Sequence, residues 1–191
     1  MLAPLQSGRA MSRYAAFLRG MNLGRRRISN DELRKHVEAL GFADVATFRA
    51  SGNVILSDPN DAPVGEAARR LEQGLGEALA YDVPVFARTA ERMRAIAALE
   101  PFSLDELTAS TGKPQVVLLH DAPSAAARRA ALALMPEGDR FVFEGGELHW
   151  LPRAGLSDTE LDLTALAKAL GPTTVRTKGT IELIAARWFG A

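Results

Sequence analysis

The stretch V-A-T-F-R-A-S-G-N-V-I-L, from Val45 to Leu56, decides the fold. Residues 45–49 and 54–56 are short runs typical of strands, and an A-S-G-N turn signal separates them. This spacing predicts a β-hairpin. Its Ser51-Gly52-Asn53 corner offers glycine for a positive φ and asparagine for local hydrogen bonds.

A strand and a helix precede the hairpin. Residues 14–18 (YAAFL) are a short apolar run, and S-N-D-E at 29–32 is a capping box, in which a serine and a glutamate satisfy amides at a helix start. Leu33, Val37 and Leu40 follow at helical spacing, and Gly41 is expected to end the helix.

A helix and an edge strand follow the hairpin. Asp61-Ala-Pro63 predicts the start of a second helix, and residues 83–88 predict a fourth strand. Because Pro84 cannot donate a ladder hydrogen bond, we expect this strand at a sheet edge. The order βαββαβ predicts a ferredoxin-like unit, in which the fourth strand is an edge strand.

The second half is less regular and predicts a smaller α/β unit with a β-hairpin and two terminal helices. Its predicted elements are two short helices capped by Thr89 and Ser103, a strand at 115–119, a helix from Asp121-Ala-Pro123 to Met135, a hairpin of 140–144 and 147–151, a helix after the S-D-T-E capping box at 157–160, a short extended stretch at 173–176, and a helix at 178–188. The fold class is therefore α+β. The predicted organisation is a flexible extension (1–12), a ferredoxin-like domain (13–90) and a C-terminal domain (91–191), with one compact domain overall as the alternative.

The two halves also resemble one another. Asp61-Ala-Pro63 and Asp121-Ala-Pro123 each follow an apolar strand and precede an A-A-R-R sequence. We favour the use of the same residue types to start helices, together with a compositional bias towards alanine and arginine, as the cause, with a structural repeat as the alternative.

Composition excludes several classes of protein. The 191-residue chain has no cysteine, so disulfides, thiolate catalysis and cysteine-bound metals are excluded. Its 23 basic and 23 acidic residues cancel, whereas general nucleic-acid binders usually carry a basic excess. No apolar run approaches the ~20 residues of a membrane span. Residues 1–10 do not resemble a signal peptide, so we expect a cytoplasmic protein. Its start is either Met1 or Met11, and Met11 is considered because the patterned chain begins just after it.

The loop from Arg19 to Arg27 (RGMNLGRRR) carries the strongest chemical signal. Its glycines allow backbone amides to approach a ligand, and the following helix start favours negative charge. Arg25 and Arg26 stand where cations oppose the helix dipole. Either these arginines point into water or pair with nearby acids, or they bind an anion. The G-x-x-x-x-G-K-[ST] phosphate-binding motif is not matched.

Two further segments are candidates for the same anion site. Ser51 and Asn53 are either turn residues or neutral donors that face the same ligand. Arg176 and Lys178 again place basic residues at a helix start, with Thr177 as its expected cap. The candidate ligand-binding residues are Arg19, Asn22, Gly24, Arg25, Arg26, Ser51, Gly52, Asn53, Arg176 and Lys178.

No catalytic residue can be named from the pattern. His36, His120 and His149 form no metal-binding spacing, so we predict no metal and no cofactor. Ser51 lies in no G-x-S-x-G elbow. Tyr14 and Phe17 have opposite parity in their strand, and residues 54–56 carry no aromatic side chain, which disfavours base stacking of RNA on the sheet.

The motifs R-G-M-N-L-G at 19–24, L-G-F at 40–42 and S-G-N-V at 51–54 resemble those of the domain of unknown function 1697 family. The resemblance covers the chain from Met11 onward. It implies an α+β protein with a ferredoxin-like first part and no established activity. The family's C-terminal T-x-R-N-W-x-T pattern is matched at Arg176 and Thr180, whereas Thr177 and Lys178 replace its asparagine and tryptophan.

We therefore predict a protein that binds a phosphate-bearing or otherwise anionic ligand, either a small molecule or a nucleic-acid backbone, and no membrane. The alternatives are a metal-independent enzyme that acts on a phosphorylated small molecule, and an interaction or assembly domain. The pattern predicts no oligomeric state.

Overall fold

The computed structural model describes residues 11–21, 27–49 and 52–190. Within them it is an α+β protein with two antiparallel four-stranded sheets and seven α-helices. The strands are β1 (Ser12–Leu18), β2 (Ala43–Thr47), β3 (Asn53–Asp58), β4 (Val85–Thr89), β5 (Gln115–Leu119), β6 (Arg140–Glu144), β7 (Glu147–Leu151) and β8 (Thr173–Thr177). The helices are α1 (Asn30–Ala39), α2 (Val64–Leu79), α3 (Ala90–Ala98), α4 (Leu104–Ala109), α5 (Ala125–Leu132), α6 (Leu163–Leu170) and α7 (Lys178–Phe189).

The first sheet has the strand order β2-β3-β1-β4. β4 lies at the edge, as the proline before it requires, and the carbonyl of Pro84 accepts a hydrogen bond from the Arg19 amide at 2.9 Å. In β1, Phe17 lies opposite Asn53 of β3 and Phe86 of β4. This register brings the end of β1 beside the start of β3.

Several helix boundaries follow the predicted caps, and two do not. The Ser29–Glu32 capping box starts α1 as predicted. The predicted box at 157–160 does not start α6, which begins at Leu163 because the Asp162 carboxylate accepts two amide hydrogen bonds there. α5 is shorter than predicted, since the Ser124 side chain caps it after Pro123.

The second half is more regular than the sequence indicates. Its four strands form a complete sheet in the order β6-β7-β5-β8, the same order as in the first sheet. β1 therefore corresponds to β5, β3 to β7, β4 to β8 and α3 to α7. The Asp-Ala-Pro echo does not follow this correspondence, because it aligns α2 with α5, which occupy different places. A different repeat does follow it: P-x-x-x-R-T at residues 84–89 and at residues 172–177.

The two halves share one apolar core. α3 and α7 lie between the sheets, while α1 and α2 cover the outer face of the first sheet and α5 and α6 cover that of the second. In the central layer, Phe17 of the first sheet and Leu118 of the second belong to the same buried cluster as Ile96 and Ile184. The predicted boundary near residues 88–92 is the junction of β4 and α3, and the core continues across it.

Candidate functional site

The predicted binding residues divide into two groups. Asn22, Gly24, Arg25, Arg26 and Ser51 lie outside the described residues. Arg19, Gly52, Asn53, Arg176 and Lys178 lie within them. The structure brings four of these five to the end of β1 and the start of β3.

Gly52 joins the hairpin turn to the end of β1. Its φ is +70°, and its carbonyl accepts the Leu18 amide at 2.7 Å. A Cβ at this position would lie 2.9 Å from Cγ of Met21 and 3.0 Å from Cβ of Leu18. Glycine is therefore required both for the positive φ and for the close approach of the two segments.

Arg176 connects β8 to both motifs. Its Nε donates to Oδ1 of Asn53 at 2.6 Å, and its Nη2 donates to the carbonyl of Leu18 at 3.0 Å. Its Nη1 donates to Thr174 Oγ1 and to the Val175 carbonyl, both at 2.8 Å. Burial lowers the pKa of Arg176 to about 10, so the guanidinium stays charged at neutral pH.

Asn53 is a buried linking residue rather than an exposed donor. Only 1% of the residue is exposed, and its Nδ2 donates to the Phe48 carbonyl at 2.9 Å while Oδ1 accepts from Arg176. These two contacts fix the orientation of the amide group. The asparagine thus ties the turn to the second half of the chain.

Arg49 belongs to the same region, although the sequence analysis did not select it. It is exposed, has a φ of +58° and donates from Nη1 to Thr180 Oγ1 at 3.1 Å. Because a positive φ is uncommon for a residue with a side chain, this turn is held by its surroundings. The position of Arg49 in the predicted S-G-N-V hairpin was the available signal.

Lys178 has a different environment. As predicted, Thr177 caps α7 and Lys178 is the first residue of the helix. The lysine is buried, and its Nζ contacts Glu100 at 2.5 Å and Glu182 at 3.0 Å. Burial acts to lower the pKa of Lys178, but the hydrogen bonds to these two carboxylates outweigh it and raise the pKa. The positive charge of Lys178 is therefore compensated by two carboxylates of the protein itself.

Arg88 makes the equivalent contacts in the opposite direction, from the first half to the second, and one of its partners is a charged carboxylate. Arg88 of β4 corresponds to Arg176 and donates to the Leu119 carbonyl at 2.7 Å, just as Arg176 donates to Leu18. Nε of Arg176 donates to Oδ1 of Asn53, whereas Nε of Arg88 donates to Oε1 of Glu147 at 2.5 Å. Arg92 also bonds to this buried glutamate. The two arginines thus form reciprocal clamps between the halves, and the described contacts of the second clamp include the carboxylate of Glu147.

The described residues contain neither a candidate membrane span nor a candidate metal centre. None of the described helices is long and apolar enough to cross a membrane. In the same part of the chain, no group of three or more histidine, aspartate and glutamate side chains is placed to hold a metal ion.

Comparison with known proteins identifies the family. Residues 11–149 match the family described as "Protein of unknown function (DUF1697)". The chain belongs to this family. The matched range of this DUF1697 protein contains both N-terminal motifs, whereas Arg176 and its strand lie beyond it.

A solved structure shares the fold. It is described as that of a conserved bacterial protein from Streptococcus pneumoniae, which has 16% sequence identity and a TM-score of 0.71. The similarity covers 95% of this chain and 100% of the other. No curated protein matches the sequence.

Proposed function

We propose that the protein binds a phosphate-bearing or otherwise anionic ligand, such as a nucleotide, a metabolite or a nucleic-acid backbone, through the Gly/Arg loop at residues 19–27. One observation carries the proposal. Arg176 bonds both to Leu18, the residue before the loop, and to Asn53 in the S-G-N-V motif. This contact supports a common site for the three segments that the sequence marks as basic or glycine-rich.

The charge of the region also favours an anion. The contacts described for Arg49 are to neutral groups, namely the hydroxyl oxygen of Thr180 and the aromatic ring of Phe48. Arg19 is exposed at the start of the loop. Because these two guanidinium groups are exposed, a ligand anion can approach them from solvent, and their attraction to it weakens as salt rises.

Arginine and glycine suit phosphate in particular. A guanidinium binds two phosphate oxygens in parallel, and glycine amides reach the remaining oxygens. Arg25 and Arg26 supply further cations in the loop. If the ligand is a nucleic-acid backbone, affinity falls steeply with salt, whereas a small ligand in a formed site depends on salt much less.

Titration calorimetry at low salt tests the proposal, with pyrophosphate, a nucleoside monophosphate and a short single-stranded DNA as probes. The two test variants are Asn53→Asp, which places a carboxylate beside Arg176, and Arg25→Ala/Arg26→Ala, which removes loop cations. We expect the affinity for at least one probe to fall tenfold or more in both variants. Arg129→Gln is the control, since Arg129 is exposed on α5, remote from the loop in the chain.

Circular dichroism must show that each variant is folded, because an aspartate at position 53 loses the hydrogen bond to Phe48. The double-alanine variant keeps the test decisive if Asn53→Asp does not fold. Wild-type protein that binds none of the probes, or a double-alanine variant that binds like the wild type, would contradict the proposal.

A further inference from the structure

A separate cleft lies beside the second clamp, on the opposite half of the repeat. It has a volume of about 290 Å³ and is bounded by α2, the edge strand β4 and the connection after β5. His120 follows β5 as Arg19 follows β1. His120 therefore occupies the position in the second half that corresponds to Arg19 in the first, while α2 and β4 of the first half form most of the cleft wall.

His120 is held in a defined orientation at this cleft. Its ring packs on Phe86, with the ring centroids 4.5 Å apart. Its Nε2 lies 3.4 Å from Oε1 of Glu72, and that oxygen accepts the Val85 amide at 2.8 Å. The carboxylate is thus fixed by the backbone of β4 and in turn orients the imidazole.

This orientation determines which nitrogen faces a ligand. Because Nε2 approaches a carboxylate, we assign the proton of the neutral ring to Nε2. Nδ1 then carries the lone pair and can accept a hydrogen bond. Among the described residues, Nδ1 has no hydrogen-bond partner.

Arg69 supplies a cation on the helix side of the cleft. It lines the cleft, is exposed and makes no hydrogen bond or ion pair within the described part of the chain. The neighbouring Arg88 and Arg92 differ, since both are bonded to Glu147. Asp121 and Glu72 line the same cleft near His120 and repel an anion, so a negatively charged ligand group is directed away from the histidine side and towards Arg69.

The remaining lining is largely apolar. Val64 and Ala68 of α2 and Phe86 of β4 contribute carbon surface between the arginine and the histidine. The volume of about 290 Å³ lies just below the range of small-molecule sites, which begins near ~300 Å³, so the cleft suits a small ligand. Apolar surface between a cation and a hydrogen-bond acceptor fits a small organic molecule better than a bare inorganic ion.

We propose that this cleft is a second binding site, for a small hydroxylated organic anion that carries a phosphate monoester or a carboxylate. Arg69 binds the anionic group, the apolar lining contacts the carbon skeleton, and Nδ1 of His120 accepts a hydrogen bond from a ligand hydroxyl. None of the described residues of the Arg19 loop lines this cleft, so the two proposals can fail independently.

The test is an NMR titration of the histidine ring signals at constant pH, with assignments from His120→Gln. The probes are glycerol phosphate and glycerate, which separate the phosphate source of the anion from the carboxylate source. Glycerol and inorganic phosphate each supply only one part of the ligand. We expect a saturable shift of the His120 signal with at least one of the first two probes, and no shift of the His36 signal.

Variants then separate this site from the first. Arg69→Gln is expected to weaken the response tenfold or more, while Arg129→Gln and Arg25→Ala/Arg26→Ala leave it unchanged. The proposal is overturned if neither organic anion shifts the His120 signal, if Arg69→Gln responds like the wild type, or if inorganic phosphate alone binds as tightly as the organic anions.

Discussion

Glu147 is the buried carboxylate that links β7 to two arginines of the first half, and its replacement by glutamine tests how the halves are held together. Only 1% of Glu147 is exposed. It bonds to Arg88 and Arg92, whose side chains are 11% and 30% exposed. Glu147→Gln keeps the size and one acceptor oxygen but removes the charge that both cations face.

The expected cost follows from this burial. Removal of one partner of a buried ion pair costs about 3–5 kcal/mol, because the other charge stays uncompensated. We place Glu147→Gln near the lower end, at about 3 kcal/mol, since the glutamine oxygen still accepts a hydrogen bond and Arg92 is partly solvated. For a chain of this length, roughly 2–4 °C per kcal/mol gives a drop in Tm of roughly 6–12 °C.

The measurement is urea unfolding followed by far-UV circular dichroism, together with a thermal scan. Glu144→Gln is the matched control, because Glu144 is exposed on the neighbouring strand and contacts Arg92 only through its backbone carbonyl. A cost below about 0.5 kcal/mol for Glu147→Gln, or an equal cost for Glu144→Gln, would refute the reasoning.

Two further predictions concern the core and acid stability. Phe17→Ala should cost about 3–5 kcal/mol, and far-UV circular dichroism should report the same midpoint as the fluorescence of Trp150 and Trp188, which both lie in the second half; separate midpoints would contradict the shared core. Burial is the main cause that lowers the pKa of His149 from its ordinary value of about 6.5. At a pH just below 6.5 the unfolded chain therefore binds more protons than the folded protein does, so the stability of the wild type should fall as the pH drops from 7 to 5. His149→Gln should reduce this fall and His36→Gln should not; equal pH dependence of the wild type and His149→Gln would count against the assignment.

Much of the local structure was predictable because its signals are local. The Ser29–Glu32 capping box places a side chain and an amide three residues apart, so it needs no distant contact to form. Gly145-Gly146 permits the tight turn between β6 and β7. Pro84 excludes a central position for its strand whatever the rest of the sheet does.

Predictions failed where several local signals compete or where the contact is distant. Ser157 has the spacing of a cap, but Asp162 binds two amides and starts the helix instead. The second sheet depends on the pairing of β5 with β7 and β8, which lie far along the chain, so the segments appeared irregular when read separately. The repeated P-x-x-x-R-T motif was the signal that could have revealed the second sheet.

The candidate site shows the same division. Arg19, Asn53 and Arg176 were selected for their residue types, but only the pairing of β8 with β5 and the shared core determine that Arg176 reaches Asn53. Lys178 had the same residue-type signal and is instead bonded to two glutamates. A basic residue at a helix start thus indicates a positive charge that needs a partner, and its tertiary contacts decide whether that partner is a protein carboxylate or can be a ligand.

The two clamps suggest why the halves differ. A buried arginine that crosses to the other sheet serves the same structural purpose at Arg88 and Arg176, so the shared frame explains both arginines. It does not explain why one meets Glu147 and the other Asn53. A carboxylate at position 53 would place a negative charge beside Arg176, as Glu147 does beside Arg88. An asparagine keeps the hydrogen bond to Arg176 without adding that negative charge, which is the choice expected if the proposed site in the first half binds an anion.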